Sequence, residues 1–366
     1  MHSTDKQKEK VILVGVALKG ENSSEKYNLI ELSELAKTAN LEVIATLTQN
    51  LEAAHRATYL GKGKIEELKE LIEKLGADAI VTDDELTSSQ LSNLSNNLDS
   101  KVIDRTMLIL DIFAQNAKSS EALAQVEIAQ LRYNLSHLAG LGVSLSRIGG
   151  GSSGGGAYTR GAGEKKIELD RRKIRAKIDK LNSDLESIKN HRNTTRKQRE
   201  RTGAKTISLI GYTNAGKSTL MNTLTDAGVL SQNKLFATLD TTTRKLHIKG
   251  KTILISDTVG FIEKLPPAIV KAFRSTLEEL IYADCLIHVV DSANEAHFNQ
   301  MKVVYKTLEE LNATHIPIIT VFNKIDLVDQ IYSLKDEKAT HTVLLSAKKE
   351  TNIEELINKI THILNL

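Results

Sequence analysis

The chain is poorest in the features that would place it in a membrane or an oxidising compartment. Of its 366 residues only one is cysteine, Cys285. No intrachain disulfide framework can form, and the flanking DCLIHVVD reads as a buried strand whose thiol is simply core. No apolar run approaches the roughly 18 residues that a membrane-spanning helix requires. The first ten residues, MHSTDKQKEK, are polar and lack the apolar stretch of a signal peptide. These absences predict a soluble, cytoplasmic protein with no transmembrane segment, whose only membrane contact would be peripheral. Charge of one sign is scarce as well, since 49 Lys and Arg against 46 Asp and Glu leave a net +3. That balance alone implies no nucleic-acid partner, so the distribution of charge matters more than its sum.

What is present begins with a hydrophobic content of 40%, which suits a folded chain whose length predicts two or three domains. VILVGVAL (Val11 to Leu18), EVIATLT (Glu42 to Thr48), ADAIVTD (Ala77 to Asp83) and KVID (Lys101 to Asp104) are β-rich runs. Amphipathic stretches near 25 to 39, 63 to 75 and 87 to 98 separate them. Strands alternating with helices predict a small N-terminal α/β domain, residues 1–104, with a mainly parallel sheet. From Arg105 the period becomes helical. Ile128, Leu131, Leu135 and Leu138 form one seam; Ile167, Ile174, Ile178, Leu181, Leu185 and Ile188 form a second. Two such seams predict a long antiparallel helical hairpin over 105–200.

Between the seams lies RIGGGSSGGGAYTRGAGE, residues 147–164, with eight glycines from Gly149 to Gly163. It reads as a loop, either as a flexible connector or as a contact element. It exceeds the roughly 2 to 8 residues that join antiparallel helices. Arg147, Tyr158 and Arg160 in it can contact phosphates and stack on bases. The helix that follows is lopsided: from Lys165 to Arg201 fourteen Lys or Arg stand against six Asp or Glu. A local excess of eight positive charges, with Arg171, Arg172 and Arg175 near its start, is either a solvated face or a polyanion-binding stripe. RNA fits the stripe better than DNA, because no helix-turn-helix or zinc-finger spacing is present.

The most specific signal opens the last domain, 201–366. TISLIGYTNAGKSTLMNTL runs from a β-segment through Gly211, Tyr212, Thr213, Asn214, Ala215, Gly216, Lys217, Ser218 and Thr219 into a helical pattern. This is the G-x-x-x-x-G-K-[ST] phosphate loop in its strand-loop-helix setting. Its backbone N–H groups and the helix dipole favour phosphate, Lys217 reaches the β and γ phosphates, and Ser218 ligates Mg²⁺. DTVG (Asp257 to Gly260) ends the next β-run. There Asp257 can hold Mg²⁺ through water and the Gly260 N–H can meet the γ phosphate. The Thr-rich LFATLDTTTRKL between them offers a second Mg²⁺ ligand, for which Thr238 is the choice and Thr241 to Thr243 are competitors. Most of these hydroxyls serve caps or turns on the plainer reading. FNKID supplies Asn323, Lys324 and Asp326, whose last carboxylate can accept both guanine donors, N1–H and N2–H; adenine lacks that pair. Ser346, Ala347 and Lys348 of LLSAKK close the base pocket. The expected ligands are GTP and GDP, in a P-loop GTPase domain with a mixed, mostly parallel sheet and helices on both faces.

With these motifs in place the chain resembles the HflX-type GTPases of the translation-factor class. The likeness runs through GKGK (Gly61 to Lys64), KVIDRTMLILDIFAQNA (Lys101 to Ala117), QVEIAQLRY (Gln125 to Tyr133), the glycine-rich loop, LFATLD, DTVGFI and NKID. The resemblance implies a ribosome-associated GTPase whose N-terminal domain and hairpin bind the large subunit and its rRNA. It also implies that the protein splits stalled or stress-damaged ribosomes. A different class, a GTP-gated assembly or RNA-binding factor, stands beside it. The family's usual GGGIGTRGPGE is here GGGSSGGGAYTRGAGE, longer and with Ala162 in place of proline. Phe261 occupies the slot where many GTPases carry a water-orienting glutamine, so slow turnover is expected unless a ribosome or K⁺ completes the site. NAGKS resembles the loop of potassium-stimulated GTPases, where Asn214 would help hold K⁺; a loop-shaping role is the alternative. The short LGKGK leaves open a separate nucleotide site in the N-terminal domain.

Overall fold

The computed structural model describes residues 8–18, 22–148, 157–201, 203–225, 236, 242–258, 260–264, 269, 278–328 and 334–366. The chain divides into two compact units. The first comprises Met1–Gln115, Ala124–Asp184 and Pro266–Ile269; the second comprises Asn116–Leu123, Leu185–Leu265 and Val270–Leu366.

The first unit is built on β1 (Lys10–Leu18), β2 (Glu42–Leu51), β3 (Ala79–Thr82) and β4 (Lys101–Ile103), in the order β2-β1-β3-β4 with every pair parallel. Helices α1 (Asn22–Thr38), α2 (Lys62–Leu75) and α3 (Ser88–Leu98) connect the strands, as the alternation in sequence predicts. Val11, Ile12, Leu13 and Val14 are all fully buried, because a central parallel strand is covered on both faces. Turn chemistry sets the boundaries. Gly76 closes α2 at φ 62°, a left-handed conformation that glycine adopts without penalty. Thr87 opens α3 with a capping box: its hydroxyl accepts from the Gln90 N–H at 3.2 Å, and its own N–H donates to Gln90 Oε1 at 3.0 Å. At the carboxyl ends of the strands, Arg105 bonds Asp83 at 2.8 Å and Glu31 closely, all three buried. Asp104 accepts from the Met107 and Leu86 N–H groups at 2.8 and 3.1 Å, while burial raises its pKa above the usual carboxylate range.

Helix α4 (Arg105–Asn116) leads to the two long helices α5 (Ser120–Ile148) and α6 (Ala157–Arg201). Lys177 of α6 pairs with Glu127 of α5, and Arg192 of α6 bonds Glu121 of α5 at 2.5 Å. Moving forward along α6 moves backward along α5, the antiparallel sense the two seams predict. Ile178 is buried, and Ile167, Ile174, Leu181, Leu185 and Ile188 are each shielded, whereas Leu169 off the stripe is exposed. The glycine-rich loop is shorter than its composition suggests. Arg147 lies in the last turn of α5, and Tyr158 and Arg160 lie in the first turn of α6. Gly161 and Gly163 each cost a helix about 1 kcal/mol relative to Ala, and extension from the long Lys- and Glu-rich helix outweighs that cost.

The second unit carries a sheet ordered β10-β9-β8-β5-β7-β6, formed by β5 (Thr206–Gly211), β6 (Thr242–Ile248), β7 (Lys251–Asp257), β8 (Cys285–Asp291), β9 (Ile318–Asn323) and β10 (His341–Leu344). All neighbours are parallel except β6 and β7. Helix α7 (Lys217–Thr225) follows β5; α8 (His297–Glu310) and α9 (Ile353–Leu364) follow β8 and β10. Leu220 and Met221 of α7 and Leu356 and Ile360 of α9 pack with Ile207, Leu209, Ile287 and Val321 into one core. Cys285 belongs to it, fully buried, with burial and then the Asp284 carboxylate pushing its thiol up to about 12. Among the described residues no helix is long and apolar enough to cross a membrane.

Candidate active site

The phosphate loop leaves β5 at Gly211 and enters α7 at Lys217, and its glycines are demanded by close neighbours. A Cβ on Gly211, at φ 149°, would lie 2.2 Å from the Val289 carbonyl oxygen. One on Gly216, at φ 97°, would lie 2.2 Å from Asn323 Nδ2. Backbone this crowded and this far into positive φ excludes other residues. Asn214 sits at φ 60° with an exposed side chain, a left-handed conformation that Asn tolerates. Thr213 and Ala215 are buried, and Thr219 on the first turn of α7 is half-buried.

Lys217 is 7% exposed, and its ammonium donates to the Gly211 and Tyr212 carbonyls at 3.1 and 2.9 Å. Burial lowers its pKa to about 8, with the nearby Asp257 carboxylate pulling the other way. The ammonium is thus held within the loop that would cradle phosphates, where an anion would favour its charged form. Ser218 Oγ donates to Asp257 Oδ2 at 2.6 Å. The hydroxyl at the start of α7 and the carboxylate at the end of β7, side by side, form a hard oxygen donor set that fits Mg²⁺. Thr238 and Thr241 fall outside the described residues. Thr242 and Thr243 are strand residues of β6, opposite Asp257 and Ser256 of β7.

The segment after Asp257 is fastened to the phosphate loop. Phe261 donates its N–H to the Gly211 carbonyl at 3.1 Å and accepts from the Thr213 N–H at 2.8 Å. The Tyr212 hydroxyl accepts from the Glu263 N–H at 2.6 Å. A Cβ on Gly260 would come within 3.0 Å of Lys217 Nζ and 2.9 Å of Thr213 Cγ2, so any larger residue there would crowd both side chains. Phe261 is 2% exposed. Its ring is core, and its backbone joins the DTVG segment to the phosphate loop; nothing in that side chain can orient water.

The residues expected to read the base lie close together. Asn323, at the end of β9, donates to the Ala215 carbonyl at 2.9 Å and accepts from the Ala347 N–H at 3.0 Å, tying the phosphate loop to the SAK turn. Lys324, at φ 66°, donates to the Asn214 carbonyl at 2.9 Å and to Asp291 at 2.6 Å. Asp326 is exposed and accepts from Ser346 Oγ at 2.6 Å, a bond that holds its carboxylate below the usual range. Lys348 is exposed beside it. Three partners escape the sequence motifs: the Tyr212 hydroxyl, Asp291, and Ser292, which bonds the Asn323 carbonyl. The signal for the last two was their place at the carboxyl end of a strand, where α/β sheets bind ligands.

Three of the candidate RNA contacts lie on the described surface of α6. Arg171 is half-buried on α6; Arg172 and Arg175 are exposed, and Arg172 bonds Glu168 one turn back at 3.2 Å. The side chains of Arg147, Tyr158 and Arg160 lie outside the described residues.

The family described as GTP-binding GTPase N-terminal matches residues 26–114. GTP-binding GTPase Middle Region matches 116–199, and 50S ribosome-binding GTPase matches 206–324. GTPase HflX of Lacrimispora saccharolytica is 52% identical over 357 residues, covering 97% of this chain and 83% of that protein. GTPase HflX of Escherichia coli K12 is 38% identical, covering 96% of this chain and 82% of that protein. Among solved structures, a GTP-binding protein from the hyperthermophilic archaeon Sulfolobus solfataricus in complex with GDP is similar, at TM-score 0.50 and 26% identity. Its match covers 97% of this chain and 99% of that one.

Proposed function

The chain belongs to the HflX family of GTPases, and from that premise we propose that bound nucleotide controls how tightly a basic hairpin grips the large ribosomal subunit. The consequence of that grip is separation of stalled ribosomes into subunits. As a GTPase the protein converts GTP to GDP and phosphate. Lys217, the loop N–H groups and the Gly260 N–H stabilise charge on the phosphoryl oxygens; Asn323 and Asp326 hold the guanine. Ser218, Asp257 and Thr238 would hold Mg²⁺, Asp257 through water, and the ion would supply positive charge to offset that of the phosphates.

The observation that carries the ribosomal reading is the charge on α6, whose excess of eight sits on a helix with Arg172 and Arg175 exposed. The matching family's description, 50S ribosome-binding GTPase, supports the same partner. The burial of Phe261 supports a further element, slow turnover by the isolated enzyme. Without a side chain to orient the nucleophile the isolated enzyme is slow, and an outside agent completes the site. Ribosome binding is one such agent. K⁺ beside Asn214 is another, although the left-handed backbone of Asn214 and its carbonyl's bond to Lys324 support loop shaping.

Sedimentation of ribosomes with the protein and GTP, a non-hydrolysable analogue or GDP tests this reading. Loss of the assembled-ribosome peak with the triphosphate supports splitting. Binding confined to free precursor subunits would favour an assembly factor. Turnover compared in KCl and NaCl, with and without ribosomes, separates the two activators; fast ribosome-free turnover in Na⁺ would refute this account of Phe261.

A further inference from the structure

Asn116 stands at the break between α4 and α5, and its side chain reaches a segment 120 positions further along the chain. Its Nδ2 donates to the Phe236 carbonyl at 3.2 Å. Phe236 is 3% exposed and has a φ of 56°. A bulky residue keeps that left-handed backbone only where tertiary contacts hold it, so the buried ring and the bond from Asn116 act together. Phe236 belongs to the LFATLD stretch between α7 and β6, the part of the chain that GTPases reorganise between their triphosphate and diphosphate states.

The other side of the same junction starts the hairpin. Ser119 caps α5, its hydroxyl accepting from the Ala122 N–H at 3.1 Å and its carbonyl from the Leu123 N–H at 3.0 Å. Glu121, in the first turn of α5, accepts from Arg192 of α6 at 2.5 Å. Asn116, this first turn, the end of α6 and Phe236 all lie in the second unit, and α5 and α6 then continue as unbroken helices. One side chain therefore bonds the backbone at Phe236 from the part of the second unit where α5 begins and α6 ends.

We propose that Asn116 is a positioning residue that relays nucleotide state from the Phe236 carbonyl to the first turn of α5. The triphosphate state firms the Asn116 bond and the start of the hairpin with it; the diphosphate state loosens both. The coupling is reciprocal, so a partner that fixes the hairpin also favours the triphosphate form of the switch. This deepens the nucleotide-controlled hairpin proposed above and rests on it.

The test is amide hydrogen exchange over residues 120–124 of the full chain, with GDP and with a non-hydrolysable GTP analogue. In the wild type, exchange should be about five-fold slower with the analogue, the scale of one hydrogen bond, and N116A should bring the two states within about two-fold. N116D should do the same while nearly preserving shape, since a carboxylate has no N–H to donate; it also serves if N116A does not fold. GDP affinity should be unchanged in both. Equal exchange in the two wild-type states overturns the proposal, and so does a nucleotide difference that survives in both variants. No ribosome is present, so the two readings fail separately. An exchange difference without nucleotide-dependent subunit binding sinks only the ribosomal reading; the converse sinks only the relay.

Discussion

The two sheets of this protein, one wholly and one mostly parallel, follow the same strand-and-helix alternation up to the carboxyl ends of their strands and part company there. In the first unit those ends are closed by side chains: Arg105 is locked between Glu31 and Asp83, and Asp104 caps α4 while holding the Leu86 N–H. In the second unit the corresponding ends carry main chain. Gly211 and Gly216 let backbone approach Val289 and Asn323 closely, and the helix start that follows presents Lys217 and Ser218. One sheet spends its loop positions on buried ion pairs and the other on a phosphate cradle. Fold class says little about function here, and the chemistry at the strand ends says most of it.

That contrast predicts effects of different kinds in the two units. Arg105→Ala leaves Glu31 and Asp83 buried without their shared cation, and should destabilise the first unit by about 3–5 kcal/mol. GDP affinity should survive, because the second unit has its own core. Chemical denaturation alongside GDP titration checks both, and loss of GDP binding would break the comparison. Lys217→Ala removes a charge from the phosphate cradle and should lower GTP turnover roughly 100- to 1,000-fold, with the first unit's unfolding unchanged.

A smaller effect comes from His288 on β8, buried edge-on to Tyr305, with its Nδ1 unpartnered among the described residues. Burial lowers its pKa to about 4; the Lys217 ammonium lowers it further and Asp336 opposes them. The folded state resists a proton that the unfolded chain accepts near the ordinary value of about 6.5. The stabilisation from neutral His288 is therefore complete above that pH and is lost as pH falls through about 4, by ~3 kcal/mol in all. Denaturation of the second unit across that range should show the slope, and His288→Leu should flatten it. The smallest effect is Thr87→Ala, which removes the α3 capping box and should cost the first unit about 1 kcal/mol in the same assay.

Much of this was legible in the sequence wherever backbone geometry admits few residue types. Gly211 and Gly216 could be named because nothing larger fits, and Asp326 is the expected guanine acceptor because only a carboxylate accepts two adjacent donors. The hairpin stripe was legible for another reason: its period of three and four repeats over a long helix, and a single Leu off the stripe is exposed. The start of α6 lies earlier than its sequence suggests, because Gly161 and Gly163 signal a loop locally whereas helix propagation is cooperative. Illegible were contacts between distant residues with no shared motif, such as Tyr212 to Glu263 and Asn116 to Phe236. A hydroxyl or an amide in sequence carries no indication of which carbonyl or N–H it will meet.

The central claim is that the nucleotide at the Lys217 loop sets the strength of the basic hairpin's hold on the large ribosomal subunit. The most direct measurement is the affinity of the full chain for purified large subunits, loaded in turn with GDP and with a non-hydrolysable GTP analogue at one fixed salt concentration. The account predicts at least about ten-fold tighter binding with the analogue, a differential of the size that one coupled switch supplies. Equal affinity in the two states would contradict it.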